Sequence, residues 1–331
     1  MTPYFWPAMW EQRRICIAQT LYQHRAQKVL DVGCGEGNML AFLVAPGPND
    51  EHPVEQLYGI DIDADALAVA RDRLLPDEAD RRDLRVDPLS VRLFHGNATV
   101  PICGISPDAV VCSEVIEHIS ETEEVPALTR AILGSYRPHL AVFTTPNAEF
   151  NVNFPALAYG TPSAQLRHSD HKFEWTREQF GKWAAQAAST FGYTVELRGI
   201  GFSMRNATDD FKPSGGCSQM AVFVRKEPGG LDPTSSTASE EMPRLFAQFE
   251  YPVYLLPVLE GQDLLTFVQT AARSICDNQR VFQVAVLWDV LEVKQQFKRL
   301  QALHCWLEAR ACAFAPLSVT TASKDHAYQL I

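Results

Sequence analysis

The feature that most constrains the fold is an alternation of short β-rich runs with helical segments between residues 28 and 226. The predicted strands are 28–33, 57–62, 91–96, 108–113, 140–145, 193–200 and 218–225. Helices are predicted around 64–75, 121–136 and 176–191. Strands that alternate with helices indicate a mostly parallel sheet with helices on both faces. The sequence therefore predicts an α/β fold with a seven-stranded sheet, whose last two strands can pair antiparallel because only a loop joins them.

A change of composition follows this region. Residues 227–241, "EPGGLDPTSSTASEE", are rich in Pro, Gly, Ser and Thr, which is typical of a linker. Helical patterns return at 259–275 and 281–313, without any catalytic pattern. We therefore expect a principal domain over 1–226, a linker over 227–241, and a small helical C-terminal extension over 242–331 that packs a core of its own or docks a partner.

Composition limits the classes of partner and compartment. The formal net charge is −11, which disfavours broad binding along DNA or RNA because that mode needs many lysine and arginine contacts with phosphates. This charge is compatible with recognition of one nucleic-acid end in a local pocket. The eight cysteines form no CxxC pair, so we expect neither a zinc site nor a disulfide framework. With no signal-peptide layout and no apolar run of ~18 residues, a soluble, cytoplasmic protein without a membrane partner is expected.

The first predicted strand leads into a glycine-rich turn, "VLDVGCGEGN", and then into a helix. Gly33, Gly35 and Gly37 allow a sharp turn and a close approach of a ligand to free backbone N–H groups. A dinucleotide site has the pattern GxGxxG, whereas this chain has Asn38 at the last glycine position. GxGxG preceded by Asp31 resembles instead the loop that holds S-adenosylmethionine in Rossmann-like class I methyltransferases. A strained turn without a ligand is the alternative.

Two further predicted strands end in polar residues that should lie at the same edge of the sheet. Asp61 ends the second strand, where an acid accepts hydrogen bonds from two ribose hydroxyls in nucleotide-binding folds. Asp63 competes for this role, although its place at the start of a helix favours N-capping. Asn97, in "HGNA", is a candidate for the adenine edge, with a turn role as the alternative. Together with the glycine turn, these residues predict a pocket for S-adenosylmethionine.

Candidate metal ligands follow the fourth predicted strand in "SEVIEHIS". Glu114, Glu117 and His118 have i, i+3, i+4 spacing, so they would share one face of a helical turn. Carboxylates alone suit Mg²⁺, and an added imidazole favours Mn²⁺ or another transition ion. A fourth ligand is expected from "RHSDHKFEWT" (167–176), which opens onto the same edge of the sheet. Its candidates are His168, Asp170, His171 and Glu174.

These segments resemble those of a known family. The runs "FWPAMWEQRR", "VLDVGCGEG", "GIDID", "HGNA", "CSEVIEHI", "TTPNAEFN", "RHSDHKFEWTREQF" and "CSQMAVFVR" are similar to those of the Hen-type small-RNA 3′-terminal 2′-O-methyltransferases, in particular the animal piRNA-methylating group. The resemblance covers about residues 5–226. It implies that a divalent metal and catalysis depend on Glu114, Glu117, His118 and His171. It also implies that the contacts with S-adenosylmethionine include Gly33, Asp61 and Asn97, beside Asp31 and Gly35 of the same turn.

The resemblance implies methylation of the terminal 2′-hydroxyl of small single-stranded, piRNA-like RNAs, which protects their 3′ ends in RNA-mediated gene silencing. S-adenosylmethionine would donate the methyl group, Mg²⁺ or Mn²⁺ would be chelated by the terminal 2′ and 3′ oxygens, and a Piwi- or Argonaute-type protein would present the RNA. One alternative is a metal-dependent methyltransferase of small vicinal diols such as catechols, whose enzymes have an Asp-rich ligand pattern. The other is a non-catalytic RNA-binding scaffold, which the intact cofactor and metal motifs disfavour.

Overall fold

The computed structural model of the protein describes most of the chain. The described residues are 5–44, 54–82, 85, 87–201, 214–226, 241–253, 259–276, 280–297, 300–310, 312–316 and 327–330. They form two compact units. The first unit takes its described residues from Met1–Pro46, Val54–Leu75 and Leu89–Phe249, and the second from Gly47–Pro53, Pro76–Pro88 and Glu250–Ile331.

An eight-stranded sheet organises the first unit. Its strands are β1 (Lys28–Val32), β2 (Gln56–Asp61), β3 (Ser90–His95), β4 (Ala109–Ser113), β5 (Leu140–Pro146), β6 (Tyr193–Ile200), β7 (Ser218–Arg225) and β8 (Arg244–Glu250). Their order across the sheet is β6-β7-β5-β4-β1-β2-β3-β8. Strands β1 to β5 pair in parallel, while β7 runs antiparallel to both β5 and β6. The seven predicted strands and the antiparallel pairing of the last two are confirmed.

The helices of the first unit connect and cover these strands. They are α1 (Met9–Gln23), α2 (Asn38–Val44), α3 (Ala64–Leu74), α5 (Glu124–Thr129) and α6 (Arg177–Phe191). Short 3₁₀ segments occupy Ile116–His118, Ala148–Asn153 and Pro155–Leu157. The predicted helix at 121–136 is divided, because α5 continues as a π-helix over Arg130–Tyr136. Every residue of β5 is buried and β4 is buried over its first four residues, as expected for central strands covered on both faces.

The second unit has a core of its own. Its elements are α4 (Glu78–Arg82), α7 (Gly261–Ile275), α8 (Val284–Trp288), α9 (Leu291–Phe297), α10 (Leu300–Glu308), β9 (Val281–Gln283), β10 (Phe314–Pro316) and β11 (Ala327–Leu330). Strand β11 pairs antiparallel with both β9 and β10. Phe282 of β9 is buried against Phe314 and Tyr328, with ring centroids 6.1 and 6.2 Å away. Within the described residues, no helix combines the length and apolar character needed to cross a membrane.

Two expectations for the C-terminal part differ from the structure. The helix predicted over 281–313 is broken into one strand and several short helices, because β9 pairs with β11 and buries Phe282 there. Strand β8, which was not predicted, adds to the sheet beside β3. Of the predicted linker at 227–241, only Glu241 lies within the described residues. The division of the chain at that segment remains a prediction.

A capping box in the segment "TREQ" (176–179) starts α6. The hydroxyl of Thr176 accepts the backbone N–H of Gln179, and the side-chain oxygen of Gln179 accepts the backbone N–H of Thr176 at 2.8 Å. Two N–H groups that an α-helix leaves unpaired at its start are satisfied in this way. The cap therefore determines where the loop before α6 ends.

We expect Thr176→Ala to lower the free energy of unfolding by about 0.5–2 kcal/mol, because α6 loses its N-cap. Thr190→Ala, in the last turn of the same helix, is the matched control. The exposed Thr190 hydroxyl only donates to the carbonyl of Gln186, and alanine has the higher helix propensity, so no loss is expected. Urea denaturation followed by circular dichroism measures both variants. Equal destabilisation of the two would contradict the role of the cap.

A candidate cofactor pocket and metal centre at the carboxyl edge of the sheet

The glycine turn after β1 requires glycine at its first position. Gly33 has φ +68°, and a Cβ placed there would lie 2.5 Å from Cγ2 of Val115. Its N–H donates to the carbonyl of Ile60 at 2.9 Å, which ties the turn to β2. The turn therefore holds its backbone close to the ends of β2 and β4, where a larger residue would collide with Val115.

The acid at the end of β2 holds this turn in place. Asp61 accepts the Gly35 N–H at 2.7 Å through Oδ2 and the Asp63 N–H at 2.9 Å through Oδ1. Each carboxylate oxygen can accept a second hydrogen bond, so the ribose role predicted for Asp61 is compatible with these contacts. Asp63 caps α3 by accepting the N–H groups of Asp65 and Ala66, as the sequence favoured.

Asn97 takes up the turn role that the sequence analysis considered as its alternative. Asn97 lies two residues after the end of β3, and its Oδ1 accepts the N–H of Thr99 at 2.9 Å. The side-chain amide nitrogen is not involved in this turn. The contact with adenine implied by the resemblance is therefore compatible with the structure and remains a prediction.

A cavity of about 480 Å³ lies against the glycine turn. Its walls include Asp31, Gly33 and Glu114 from the ends of the strands and Trp10 and Arg13 from α1. The volume falls within the range of ordinary small-molecule sites. The contribution of α1 was not predicted from the sequence, although two arginines three and four residues after a tryptophan in "WEQRR" are an available signal.

The floor of the cavity carries an acid with an unusual environment. Burial raises the pKa of Asp31 to about 8, and the neighbouring charge of Asp61 acts in the same direction. A positively charged ligand group beside Asp31 would favour its ionised form. The ammonium and sulfonium groups of S-adenosylmethionine have this charge, so the cavity is suited to that cofactor.

Three of the predicted metal ligands converge beyond the end of β4. Glu117, His118 and His171 each offer one ligand atom, and these atoms lie within 4.8 Å of one another. The rings of His118 and His171 have centroids 4.9 Å apart. Within the described part of the chain, no other group of three or more His, Cys, Asp or Glu residues is close enough together to hold an ion. Carboxylate and imidazole donors are a combination that Mn²⁺ and related ions accept.

Glu117 has the environment of a ligand rather than of a surface acid. Its side chain is fully buried, and Oε2 accepts the hydroxyl of Thr145 at 3.0 Å. Among the described residues, its buried Oε1 has no hydrogen-bond partner. Burial and the charge of Glu114 raise the pKa of Glu117 to about 8. A cation would both pair with the orphaned oxygen and favour the ionised carboxylate.

Glu114 lies apart from this group of three. Its backbone has φ +56°, and the 3₁₀ helix begins only at Ile116, so the predicted helical turn that would align Glu114 with Glu117 does not form. The side chain instead pairs with Arg13 at 3.2 Å and accepts the hydroxyl of Ser218 at 3.4 Å. Glu114 therefore faces the cofactor cavity in this structure, and its role as a metal ligand remains a prediction.

The loop 167–176 brings one of its four candidates to the group. His171 joins Glu117 and His118, whereas the side chain of His168 is 61% exposed and its ring lies 6.5 Å from that of His118. Asp170 is also exposed, and its Oδ2 lies 3.5 Å from Nδ1 of His168. Glu174 is buried, and both of its oxygens accept hydrogen bonds. The geometry therefore favours His171 over the other three candidates.

Comparison with known proteins identifies the family. Residues 30–139 match a family model described as a methyltransferase domain. A small RNA 2′-O-methyltransferase of Xenopus tropicalis is 35% identical over 225 residues, which cover 67% of this chain and 56% of the relative. One of Drosophila melanogaster is 30% identical over 278 residues, which cover 80% of this chain and 68% of the relative. The chain belongs to the small RNA 2′-O-methyltransferase family.

A solved structure supports the same assignment. The methyltransferase domain of bacterial CtHen1 is similar with a TM-score of 0.51 and 33% identity, over 66% of this chain and 99% of that one. The predicted class I methyltransferase fold is thus confirmed. The chain spans a little over half the length of the Xenopus tropicalis relative.

Two residues of this family member that contact candidate ligands were not predicted from the sequence. Arg13 contacts Glu114, and Thr145 contacts Glu117. Thr145 could have been noticed as a hydroxyl ending a buried strand.

The environment of Asp31 predicts a pH-dependent stability difference. In the unfolded chain Asp31 ionises near its ordinary pKa of 3.8, whereas in the folded protein it stays protonated up to about pH 8. Between these values each unit rise in pH lowers the free energy of unfolding by up to about 1.4 kcal/mol. Asp31→Asn removes this loss and should therefore be more stable than the wild type, by a margin that widens from about pH 5 to about pH 7.

Urea denaturation of the cofactor-free proteins at the two pH values measures the margin. Asp31→Asn should at the same time weaken the binding of S-adenosylmethionine, since a neutral amide attracts its positive charges less. A stability margin that does not change with pH would contradict the raised pKa of Asp31.

Proposed function

We propose that this protein transfers a methyl group from S-adenosylmethionine to the 2′-hydroxyl of the 3′-terminal nucleotide of small single-stranded RNAs, with a divalent cation at Glu117, His118 and His171. The observation that carries the proposal is the convergence of one ligand atom from each of these side chains within 4.8 Å of the others. In addition, the buried Oε1 of Glu117 has no hydrogen-bond partner among the described residues. Glu114 lines the cofactor cavity and adjoins this group in sequence. The names of the relatives support RNA as the substrate.

The cofactor is assigned to the cavity beside the glycine turn. Gly33 and Asp31 line this cavity, and Gly35 follows in the same turn. Asp31 would face the positive groups of the cofactor, and Asp61, at the end of β2 outside this lining, would accept hydrogen bonds from the ribose. Asn97, just after the end of β3, would form a hydrogen bond with the adenine edge. These residues belong to the ends of β1, β2 and β3, while the candidate metal ligands follow β4 and β5. The donor and the substrate would therefore meet where the ends of β1 and β4 adjoin.

The candidate metal residues fit a divalent cation. Glu117 presents a buried carboxylate oxygen that lacks a partner among the described residues, and two imidazoles lie beside it. When bound, Mg²⁺ or Mn²⁺ would supply Lewis-acid polarisation of a substrate hydroxyl. The imidazoles favour Mn²⁺. Glu114 stands in the proposal as a fourth ligand or as a contact of the cofactor.

His118 has the protonation state that either of its candidate roles needs. Burial lowers the pKa of His118, and the neighbouring imidazole of His171 acts in the same direction. A neutral imidazole near pH 7 has an unprotonated ring nitrogen, which can bind a cation or accept the proton of the 2′-hydroxyl. Both roles need this neutral form.

The RNA class, the protein that presents the RNA and the cellular compartment are further parts of the proposal. We propose piRNA-like RNAs, presented by a Piwi- or Argonaute-type protein in the cytoplasm, with the C-terminal part as a separate extension. The net charge of −11 supports local recognition of an RNA end rather than binding along the strand. A methyltransferase of small vicinal diols is the second candidate, since a diol presents the same two oxygens. The names of the relatives favour RNA.

The first test concerns the RNA end. We expect a short single-stranded RNA with a free 2′,3′-diol to accept labelled methyl from S-adenosylmethionine and to become resistant to periodate. The same RNA ending in a 2′-deoxynucleotide lacks the acceptor, and one ending in a 3′-phosphate presents a blocked diol, so neither should be methylated. Methylation of catechols but not of RNA would favour the second candidate. Efficient methylation of the 3′-phosphorylated RNA would refute recognition of the diol.

The second test separates the metal centre from the cofactor pocket. Glu117→Ala, His118→Ala and His171→Ala should each abolish methyl transfer and metal binding, with the affinity for S-adenosylmethionine nearly unchanged. After chelation, Mn²⁺ should restore wild-type activity at a lower concentration than Mg²⁺. Metal content, cofactor calorimetry and methyl transfer are measured in parallel.

His168→Ala is the matched control, because His168 lies three residues from His171 but is largely exposed. It should keep most activity and all metal. Glu114→Ala distinguishes the two roles of that residue: a loss of metal would identify a ligand, and a loss of cofactor affinity alone would assign Glu114 to the cavity. If His171→Ala kept wild-type metal binding, the proposed centre would be wrong.

A further inference from the structure

The His171 ring sits on a segment without regular secondary structure. Between Leu157 and Thr176 the chain forms turns and bends only, so no helix or strand fixes the direction of this side chain. A metal-binding histidine needs a defined ring orientation, because only one of its nitrogens can face the ion. The contacts of the ring must therefore determine whether His171 points at Glu117 and His118.

One contact defines the ring. Nδ1 of His171 lies 2.6 Å from Oε1 of Glu174, and the two side chains are 8% and 1% exposed. A carboxylate can only accept, so Nδ1 carries the proton when Glu174 is ionised. Nε2 is then the unprotonated nitrogen of a neutral ring, and it is the one left for the group formed with Glu117 and His118.

The carboxylate of Glu174 is itself positioned by hydrogen bonds from other residues. Oε1 also accepts the backbone N–H of Arg167 at 2.7 Å, and Oε2 accepts the side-chain amide of Asn151 at 2.6 Å. These donors satisfy a buried charge that would otherwise be costly. Oε1 thus accepts two hydrogen bonds, which occupy both of its acceptor positions, and this oxygen has none left for an ion.

The Arg167 guanidinium connects this arrangement to the sheet. Its Nε donates to Oδ1 of Asn151 at 2.5 Å, its Nη1 donates to the carbonyl of Cys217 at 2.7 Å, and its Nη2 donates to the carbonyl of Asn147. Asn147 follows the end of β5, and Cys217 precedes β7. The irregular loop is therefore anchored to two strands through side chains that meet at Glu174.

We propose that Glu174, held by Asn151 and Arg167, is the positioning residue of His171: it keeps the proton on Nδ1 and directs Nε2 to the metal centre. This inference rests on the proposed function, because it assigns a purpose to His171 as a ligand. Glu174 touches neither substrate nor cofactor in this scheme. It acts through the imidazole alone, by fixing the orientation and the tautomer of the ring.

The test measures metal affinity directly. Mn²⁺ is titrated calorimetrically into the wild-type chain, Glu174→Ala and Glu174→Gln. The alanine variant should bind most weakly, by about 10–100-fold relative to the wild type. The glutamine variant should lose less, because its amide oxygen still accepts Nδ1–H although the charge is gone. Glu178→Ala is the matched control, since Glu178 is an exposed acid on α6 that pairs only with Lys182 among the contacts described. It should bind Mn²⁺ like the wild type.

A second measurement distinguishes positioning from a general loss of structure. The affinity for S-adenosylmethionine should stay at the wild-type value in both Glu174 variants, and saturating Mn²⁺ should restore methyl transfer to Glu174→Ala. Wild-type Mn²⁺ affinity in Glu174→Ala would overturn the proposal. Should that variant also lose cofactor affinity, Glu174→Gln decides, and an unchanged Mn²⁺ affinity there overturns it. A wild-type protein that binds no Mn²⁺ would instead refute the metal centre of the proposed function.

Discussion

Parallel pairing of the central strands is the constraint on which the whole site depends. Because β1, β2, β3, β4 and β5 run in the same direction, their carboxyl ends meet at one edge of the sheet. Residues far apart in the chain, such as Asp31 and Thr145, therefore face a common region. The central strands β4 and β5 are covered on both faces. Loops at this edge can then carry chemistry without having to stabilise the fold.

Two neighbouring regions of this edge differ in electrostatics. The cofactor side holds Asp31, whose protonated form is stabilised by burial until a positive ligand arrives. The metal side holds Glu117, buried with an oxygen that lacks a partner within the described residues. In both places a buried acid is left without the charge that would compensate it, which is costly unless a cation binds. Glu114 lines the cofactor cavity and is paired with Arg13 of α1. A cationic cofactor and a metal ion would each relieve one of these costs.

Local sequence signals were sufficient for the seven strands predicted between residues 28 and 226 and for several of the turns and caps beside them. Glycine at position 33, a capping box at Thr176 and an N-cap at Asp63 are short-range patterns whose geometry the backbone alone imposes. The helical spacing assumed for Glu114 was wrong, since its left-handed backbone precedes a 3₁₀ turn rather than an α-helix. Likewise, apolar spacing over 281–313 does not encode where β11 pairs with β9.

The sequence by itself determined the class of fold and the glycine turn. It also identified "SEVIEHIS" and "RHSDHKFEWT" as the segments that carry candidate metal ligands. Only the tertiary structure decided which side chains meet: it joined His171 to Glu117 and His118, turned Glu114 toward Arg13, and engaged both oxygens of Glu174. The physical reason is range. Turns and caps depend on neighbours within a few residues, whereas a metal centre or a buried carboxylate depends on contacts that only the packed sheet brings together.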